Sequence, residues 1–203
     1  PQHHAGRRDH DPTLRTRQRV KAARAVELPD RDEVEQVEEP GEVRDREPHR
    51  APGAFDGLSA RLVEQAGFPA VYASGGAMAR SAGVPDIGLI SPDDIAARLG
   101  GIVDVVDVPV IADADTGYGN AINVIRTVRE YIGAGVAGLH MEDQVNPKRC
   151  GHVAGRVVVP AEEAIGKVRA AVDARNALDP DFVIVARTDA RGASGGSLDE
   201  AIR

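Results

Sequence analysis

Tryptophan is absent, and only 3% of the 203 residues are aromatic. Recognition of bases or sugar rings by stacking has little material to work with here. A single cysteine, Cys150, excludes any disulfide within the chain and fits a reducing, cytoplasmic setting. No apolar run approaches the ~20 residues that a transmembrane helix needs, so no membrane partner is expected. The first residues also lack the apolar stretch of a secretory signal. Positive charge is in deficit, with 25 Lys and Arg against 32 Asp and Glu, a formal net charge of −7. That balance gives no overall attraction to nucleic acid. What is present is 42% hydrophobic residues in a chain long enough for one sizeable core and short for two.

Composition changes near residue 50. Residues 1–50 are dense in Arg, Asp, Glu and His, with scattered aliphatic residues and helix-interrupting prolines at Pro29, Pro40 and Pro48. Such a segment buries too little apolar surface to offset its ordering entropy, so disorder is expected, with one short helix over 15–26. His3, His4 and His10 read as parts of a solvated tail.

From Ala51 onward, short apolar runs alternate with helical patterns. The expected strands are 51–55, 70–74, 108–112, 136–141 and 182–186. The expected helices are 57–66, stopped by Gly67, then one capped by Ser91 with Pro92 at its first position, then 120–133, 160–178 and one opened by Ser197. Ile122, Ile125, Val128 and Ile132 recur at helical spacing in the third of these, and 160–178 reads as strongly amphipathic. Strands alternating with helices imply a parallel sheet, and near-continuous apolar strands imply burial on both faces. Polar residues gather just after each strand, where a barrel or an open α/β sheet places its active site. Spacing alone does not separate those two architectures.

Asp113 and Asp115 stand two apart at a strand's end, where period-two geometry puts both carboxylates on one side. A hard divalent cation takes oxygen ligands and keeps several waters, so the pair is a candidate Mg2+ site; a polar turn with Asp as a cap is the alternative. Glu142 and Asp143 end the next strand. Glu142 is placed to hold a metal-bound water, whereas Asp143 fits an exposed acidic loop. Cys150 follows Lys148 and Arg149 and precedes Gly151 and His152. Positive neighbours favour the thiolate, so a reactive thiol is expected rather than a packing one. Ser74, Gly75 and Gly76 follow the second strand, where glycines free backbone N–H groups for an anionic oxygen. Asp86 lies in a flexible loop. Arg187 follows the fifth strand and is placed to clamp a carboxylate or to pair with Asp189.

Together these segments resemble the isocitrate lyase/phosphoenolpyruvate mutase superfamily, from about Pro52 to Arg203. The most specific part runs from Lys148 through Arg149, Cys150 and Gly151 to His152. The nearest look is to 2-methylisocitrate lyase and to carboxyvinyl-carboxyphosphonate phosphorylmutase-like proteins. The resemblance implies a (β/α)8 TIM-type barrel, present here as about five βα units over 51–203. It implies Mg2+, with Mn2+ as an alternative, held by Asp113 and Asp115 with Glu142 supporting its water shell. It implies substrate contacts from Ser74, Gly75, Gly76, Asp86, Cys150, Gly151 and Arg187. It makes Cys150 the catalytic acid/base, assisted by Lys148, Arg187 and His152. The implied reaction cleaves a small di- or tricarboxylate such as 2-methylisocitrate into pyruvate and succinate. A homotetramer is implied for full-length relatives.

Two departures accompany the resemblance. Residues 1–50 do not match the family's N-terminal helix, and the pattern stops within the fifth unit, which predicts two unpaired sheet edges. Other readings are a phosphonate P–C bond enzyme or an oxaloacetate decarboxylase of the same superfamily, a metal-binding module without catalysis, and an inactive truncated fragment.

Overall fold

A computed structural model describes residues 50–202. The expected disorder over 1–50 therefore falls, Arg50 apart, outside the described residues, as do His3, His4 and His10. No helix among the described residues is long and apolar enough to cross a membrane.

Five strands are present: β1 (Gly53–Ala54), β2 (Val71–Ala73), β3 (Val110–Asp113), β4 (Gly138–Glu142) and β5 (Val183–Arg187). They are all parallel and lie in the order β1-β2-β3-β4-β5. An open doubly wound sheet reverses its order at a switch point, whereas a (β/α)8 barrel adds each strand beside the last. The sequential order is the arc of a barrel, and it decides what spacing left open. Among the described residues, β1 pairs only with β2 and β5 only with β4, so both ends of the arc are edges.

The helices are α1 (Gly57–Gln65), α2 (Gly75–Ser81), α3 (Pro92–Val103), α4 (Ala121–Ala134), α5 (Ala161–Leu178) and α6 (Leu198–Ile202), with a 3-10 turn at Ala190–Gly192. Ser91 caps α3 as its sequence indicates, its Oγ accepting from the Asp94 N–H. Gly67 follows α1 at φ +84°, a conformation that favours glycine.

Three expectations need correction. α2 is absent from the expected helices, since Gly75 and Gly76 are poor helix formers. Its helix is held instead by Ser74 at the N-cap and by burial of Met78 and Ala79. In α4 the inward residues are Val124, Thr127, Val128, Tyr131 and Ile132, while Ile122 and Ile125 point outward. Two polar side chains on the inner face hid its phase from a hydrophobic count. α5 is not strongly amphipathic: its buried stripe is Lys167, Ala171 and Ala174, small residues and one long stem that let it lie close against α4.

The core lies between strands and helices. Val71, Leu99, Ile102, Val110, Val124, Val128, Tyr131 and Leu139 are fully buried in it. Each side chain of this size contributes ~1.5–3 kcal/mol by leaving water. The layer holds the strands in a register that sets Asp113 beside His140 and Glu142 beside Arg187.

Candidate active site

Apart from His152, the polar residues expected to carry chemistry gather at the carboxyl ends of β2 to β5 and in the loops that follow them. β3 ends at Asp113, whose Oδ2 accepts from the Gly75 N–H at 3.1 Å and whose Oδ1 accepts from the Asp115 N–H at 3.0 Å. Asp115 lies beyond the strand at φ +46°, a left-handed conformation that costs a non-glycine residue roughly 1 kcal/mol or more. The two carboxylates thus share a region through a turn and not, as expected, through strand alternation. Side chains from the outer helices hold that turn. Tyr131 Oη donates to the Asp113 carbonyl at 2.9 Å, Lys167 Nζ to the Thr116 carbonyl at 3.0 Å, and Thr127 Oγ1 to the Gly117 carbonyl at 3.3 Å. None of these three was singled out from sequence, where Lys167 reads as an ordinary helix-surface lysine.

Lys148 is buried and bridges Asp115 Oδ1, at 2.8 Å, to Asp86 Oδ1. Burial opposes its charge, but the two carboxylates outweigh that and raise its pKa. Asp86, unremarkable in sequence, is therefore brought to the site. Its Oδ2 lies 2.7 Å from where a Cβ on Gly76 would be, so only glycine fits there. Gly75 is similarly confined by Asp113. Ser74 lies beside them, with its Oγ accepting from the Ala77 N–H as the α2 cap.

Glu142 ends β4. Its Oε2 is 3.3 Å from Arg187 Nη1, and its Oε1 accepts from Gln144 Nε2 at 3.0 Å. Arg187 also donates through Nε and Nη2 to Asp189, the pairing that its sequence allowed. Its Nη2 lies where a Cβ on Gly151 would be, so Gly151 lets the guanidinium pass close to the thiol loop. Asp143 is not a free acidic loop residue. It accepts from Thr188 Oγ1 at 2.6 Å and from the Asp189 N–H at 2.8 Å, tying the ends of β4 and β5 together.

Cys150 is partly exposed, and Arg80 Nη2 lies 3.9 Å from its Sγ. The cation found at the thiol is thus Arg80, distant in sequence; Lys148 is engaged with carboxylates. His152 is exposed, and among the described residues no hydrogen bond or ion pair joins it to the other site residues. Beneath the mouth, Tyr72 Oη and His140 Nδ1 are 3.2 Å apart, and His140 Nδ1 is 4.0 Å from Asp113 Oδ1. Burial lowers the His140 pKa, against the pull of Asp113. Neither Tyr72 nor His140 stood out in the sequence.

Asp86, Asp113, Asp115, Glu142 and Asp189 meet here, and among the described residues the cations paired with them are Lys148 and Arg187, with His140 beside Asp113. Two of these carboxyls hold their protons more tightly than usual, chiefly because they are buried. Burial, reinforced by Asp113, pushes the Asp115 carboxyl up to about 6 despite Lys148. Burial pushes the Glu142 carboxyl up to about 7 despite Arg187. A hard cation fits this donor set, because it takes oxygen ligands and offsets carboxylate charge. The expected trio does not form a closed cage: among the described residues no three His, Cys, Asp or Glu side chains are grouped to hold a metal. One or two carboxylates, completed by water and substrate oxygens, remain the arrangement that Mg2+ uses.

Residues 42–203 match the family model for phosphoenolpyruvate phosphomutase. The chain belongs to that family. The PEP mutase match covers every strand described above. The chain is 54% identical over 153 residues to 2,3-dimethylmalate lyase of Eubacterium barkeri, covering 75% of this chain and 52% of that protein. It is 51% identical over 157 residues to a probable 2-methylisocitrate lyase of Corynebacterium glutamicum, covering 76% of this chain and 50% of that protein. A solved phosphonopyruvate hydrolase, in complex with oxalate and Mg2+, superposes with a TM-score of 0.66 at 32% identity, covering 87% of this chain and 53% of that one. The chain spans about half the length of the curated relatives it matches.

Proposed function

We propose that this PEP mutase family chain belongs to a magnesium-dependent carbon–carbon lyase acting on a 2-hydroxy polycarboxylate of the 2-methylisocitrate type. The observation that carries this reading is the placement of one thiol, Cys150, on the loop that also sends Lys148 into the carboxylate cluster. Bond cleavage next to a carboxylate leaves an electron pair on carbon, and that carbon needs a proton from a nearby acid.

Asp113 and Asp115 would hold the cation, with Glu142 toward its water. When bound, the cation supplies electrostatic stabilisation for the substrate oxygen that loses its proton. The chain's own residues do the rest. The Ser74 hydroxyl, whose oxygen caps α2, keeps its proton for a substrate carboxylate, beside the backbone of Gly75 and Gly76. Arg187, close to the Gly151 backbone, would orient a second carboxylate. Lys148 holds Asp86 and Asp115 in place and balances charge that develops on oxygen. The substrate hydroxyl gives its proton to solvent, and its electrons form the new carbonyl as the carbon–carbon bond breaks. The electron pair of that bond goes to the carbon beside the departing carboxylate. Cys150 gives that carbon its S–H proton, and the resulting thiolate is reprotonated from solvent. The products are a 2-oxo acid and a saturated carboxylate.

The test is a substrate panel of 2-methylisocitrate, 2,3-dimethylmalate, oxaloacetate and phosphonopyruvate, each with Mg2+ and with 2-oxo acid release followed. Release of pyruvate from one of the first two supports a lyase. Phosphate release from phosphonopyruvate alone moves the assignment to P–C chemistry, and oxalate or carbon dioxide release from oxaloacetate alone moves it to that substrate.

A further inference from the structure

We propose, resting on the lyase reading, that Gln144 is a positioning residue for Cys150 that couples the thiol loop to the Glu142, Arg187 and Asp189 cluster. Gln144 is 1% exposed, one of the few fully buried polar side chains described. Its Oε1 accepts from the Arg149 N–H at 2.9 Å, and its Nε2 donates to the Arg149 carbonyl at 3.0 Å. The backbone of the residue just before the thiol is thus held at both its N–H and its carbonyl by one carboxamide. The same Nε2 lies 3.0 Å from Glu142 Oε1 and 2.7 Å from Asp189 Oδ2. An amide nitrogen has two hydrogens, so the three acceptors share them. A shift at the carboxylates is therefore felt at Arg149, and a shift of the loop is felt at the carboxylates.

The rest of the loop shows why this grip matters. Its root is a short antiparallel pairing, with Gln144 opposite Val158 and the Val145 N–H donating to the Val157 carbonyl at 2.8 Å. The side chains of Val145 and Val157 at this root, and of Val153 farther out, are exposed, so little apolar packing fixes the path. Only a side chain with a donor and an acceptor on one carbon, at glutamine's reach, makes both bonds to Arg149. Leucine offers neither. Glutamate keeps an acceptor but loses the donors and sets a third carboxylate against Glu142 and Asp189.

The chain has one cysteine, so iodoacetamide labelling reports Cys150 alone. In Gln144→Leu, labelling and amide exchange over residues 145–157 should rise by about tenfold, while exchange in β2 to β4 stays as in wild type. In protein that turns over substrate, kcat should fall by at least about tenfold with KM little changed, because the acid is misplaced while the carboxylate contacts remain. If Gln144→Leu gives no cooperative melt, Gln144→Glu replaces it with the same local pattern expected. Unchanged labelling and exchange, or an exchange increase spread evenly over the strands, overturns the proposal. A wild-type chain that releases no 2-oxo acid refutes the lyase reading separately, and labelling and exchange still decide the part played by Gln144.

Discussion

Glu142 offers a titration that reads the electrostatics of the mouth without any substrate. Its carboxyl is 6% exposed and is pushed up to about 7, mainly by burial. In the unfolded chain it returns to an ordinary glutamate value of about 4.3. A carboxyl that holds its proton more tightly when folded contributes stability that is fully present below the unfolded value. That contribution is lost as pH rises through the folded value. Asp115, up to about 6, loses most of its contribution at lower pH. His140, held below its usual value, works in the opposite sense: its unfolded imidazole is still about half protonated at pH 6.5, so it returns up to roughly 0.4 kcal/mol between pH 6.5 and 8. Between pH 6.5 and 8, Glu142 is therefore the main group changing. It goes from roughly three-quarters protonated to roughly one-tenth, an integrated loss of about 0.8 kcal/mol that His140 reduces to roughly 0.4–0.8 kcal/mol net. For a domain of this size that lowers Tm by ~1–3 °C. The assay is a thermal melt in metal-free buffer at the two pH values, followed by far-UV circular dichroism because there is no tryptophan to report. Glu142→Gln removes the titrating group and should flatten the difference. A Tm that is level or rises between pH 6.5 and 8 in wild type, or an undiminished fall in the glutamine form, would refute the reasoning.

Other outcomes follow from single contacts. Lys148→Met removes the cation shared by Asp86 and Asp115 and should destabilise the metal-free protein by ~3–5 kcal/mol, read as a drop in urea midpoint. Lys167→Met leaves the Thr116 carbonyl without its buried donor and should cost ~1–3 kcal/mol, with Lys167→Arg recovering part of it. Asp115→Asn should weaken Mg2+ binding at least about tenfold by calorimetry while the circular dichroism spectrum stays unchanged. Leu99→Ala, in the fully buried core, should cost ~2–5 kcal/mol and leave Mg2+ binding alone.

Much of this arrangement was legible in the chain itself. The alternation of apolar runs and helical patterns marks all five strands to within two residues, because each is a largely apolar run. The expected burial on both faces does not hold for β5, an edge strand where Val185 is exposed. Asp113, Asp115, Glu142 and Arg187 were readable because each stands at or just past the end of such a run. What escaped notice depends on contacts between distant segments. Arg80 meets Cys150 across 70 positions, and Asp86 meets Lys148 across 62. Neither pair has a local pattern. α2 was hidden by two glycines whose value is close approach to Asp113 and Asp86, not helix propensity. The inner face of α4 was hidden because Thr127 and Tyr131 face inward to hold the carbonyls of the Asp113 turn. In each case a polar residue serves the site at the expense of the pattern that reveals a fold.

The most direct test of the account compares pyruvate release from 2-methylisocitrate by the wild-type and Cys150→Ser forms, with Mg2+ present. Serine replaces an acidic thiol by an alcohol far too weak to donate a proton near neutrality. The contacts to the substrate carboxylates stay in place. Turnover should fall by ~10²–10⁴-fold while KM changes little. A fall of less than about threefold, set against the ~10²-fold minimum expected of a general acid, would mean that Cys150 is not the proton donor and would contradict the mechanism.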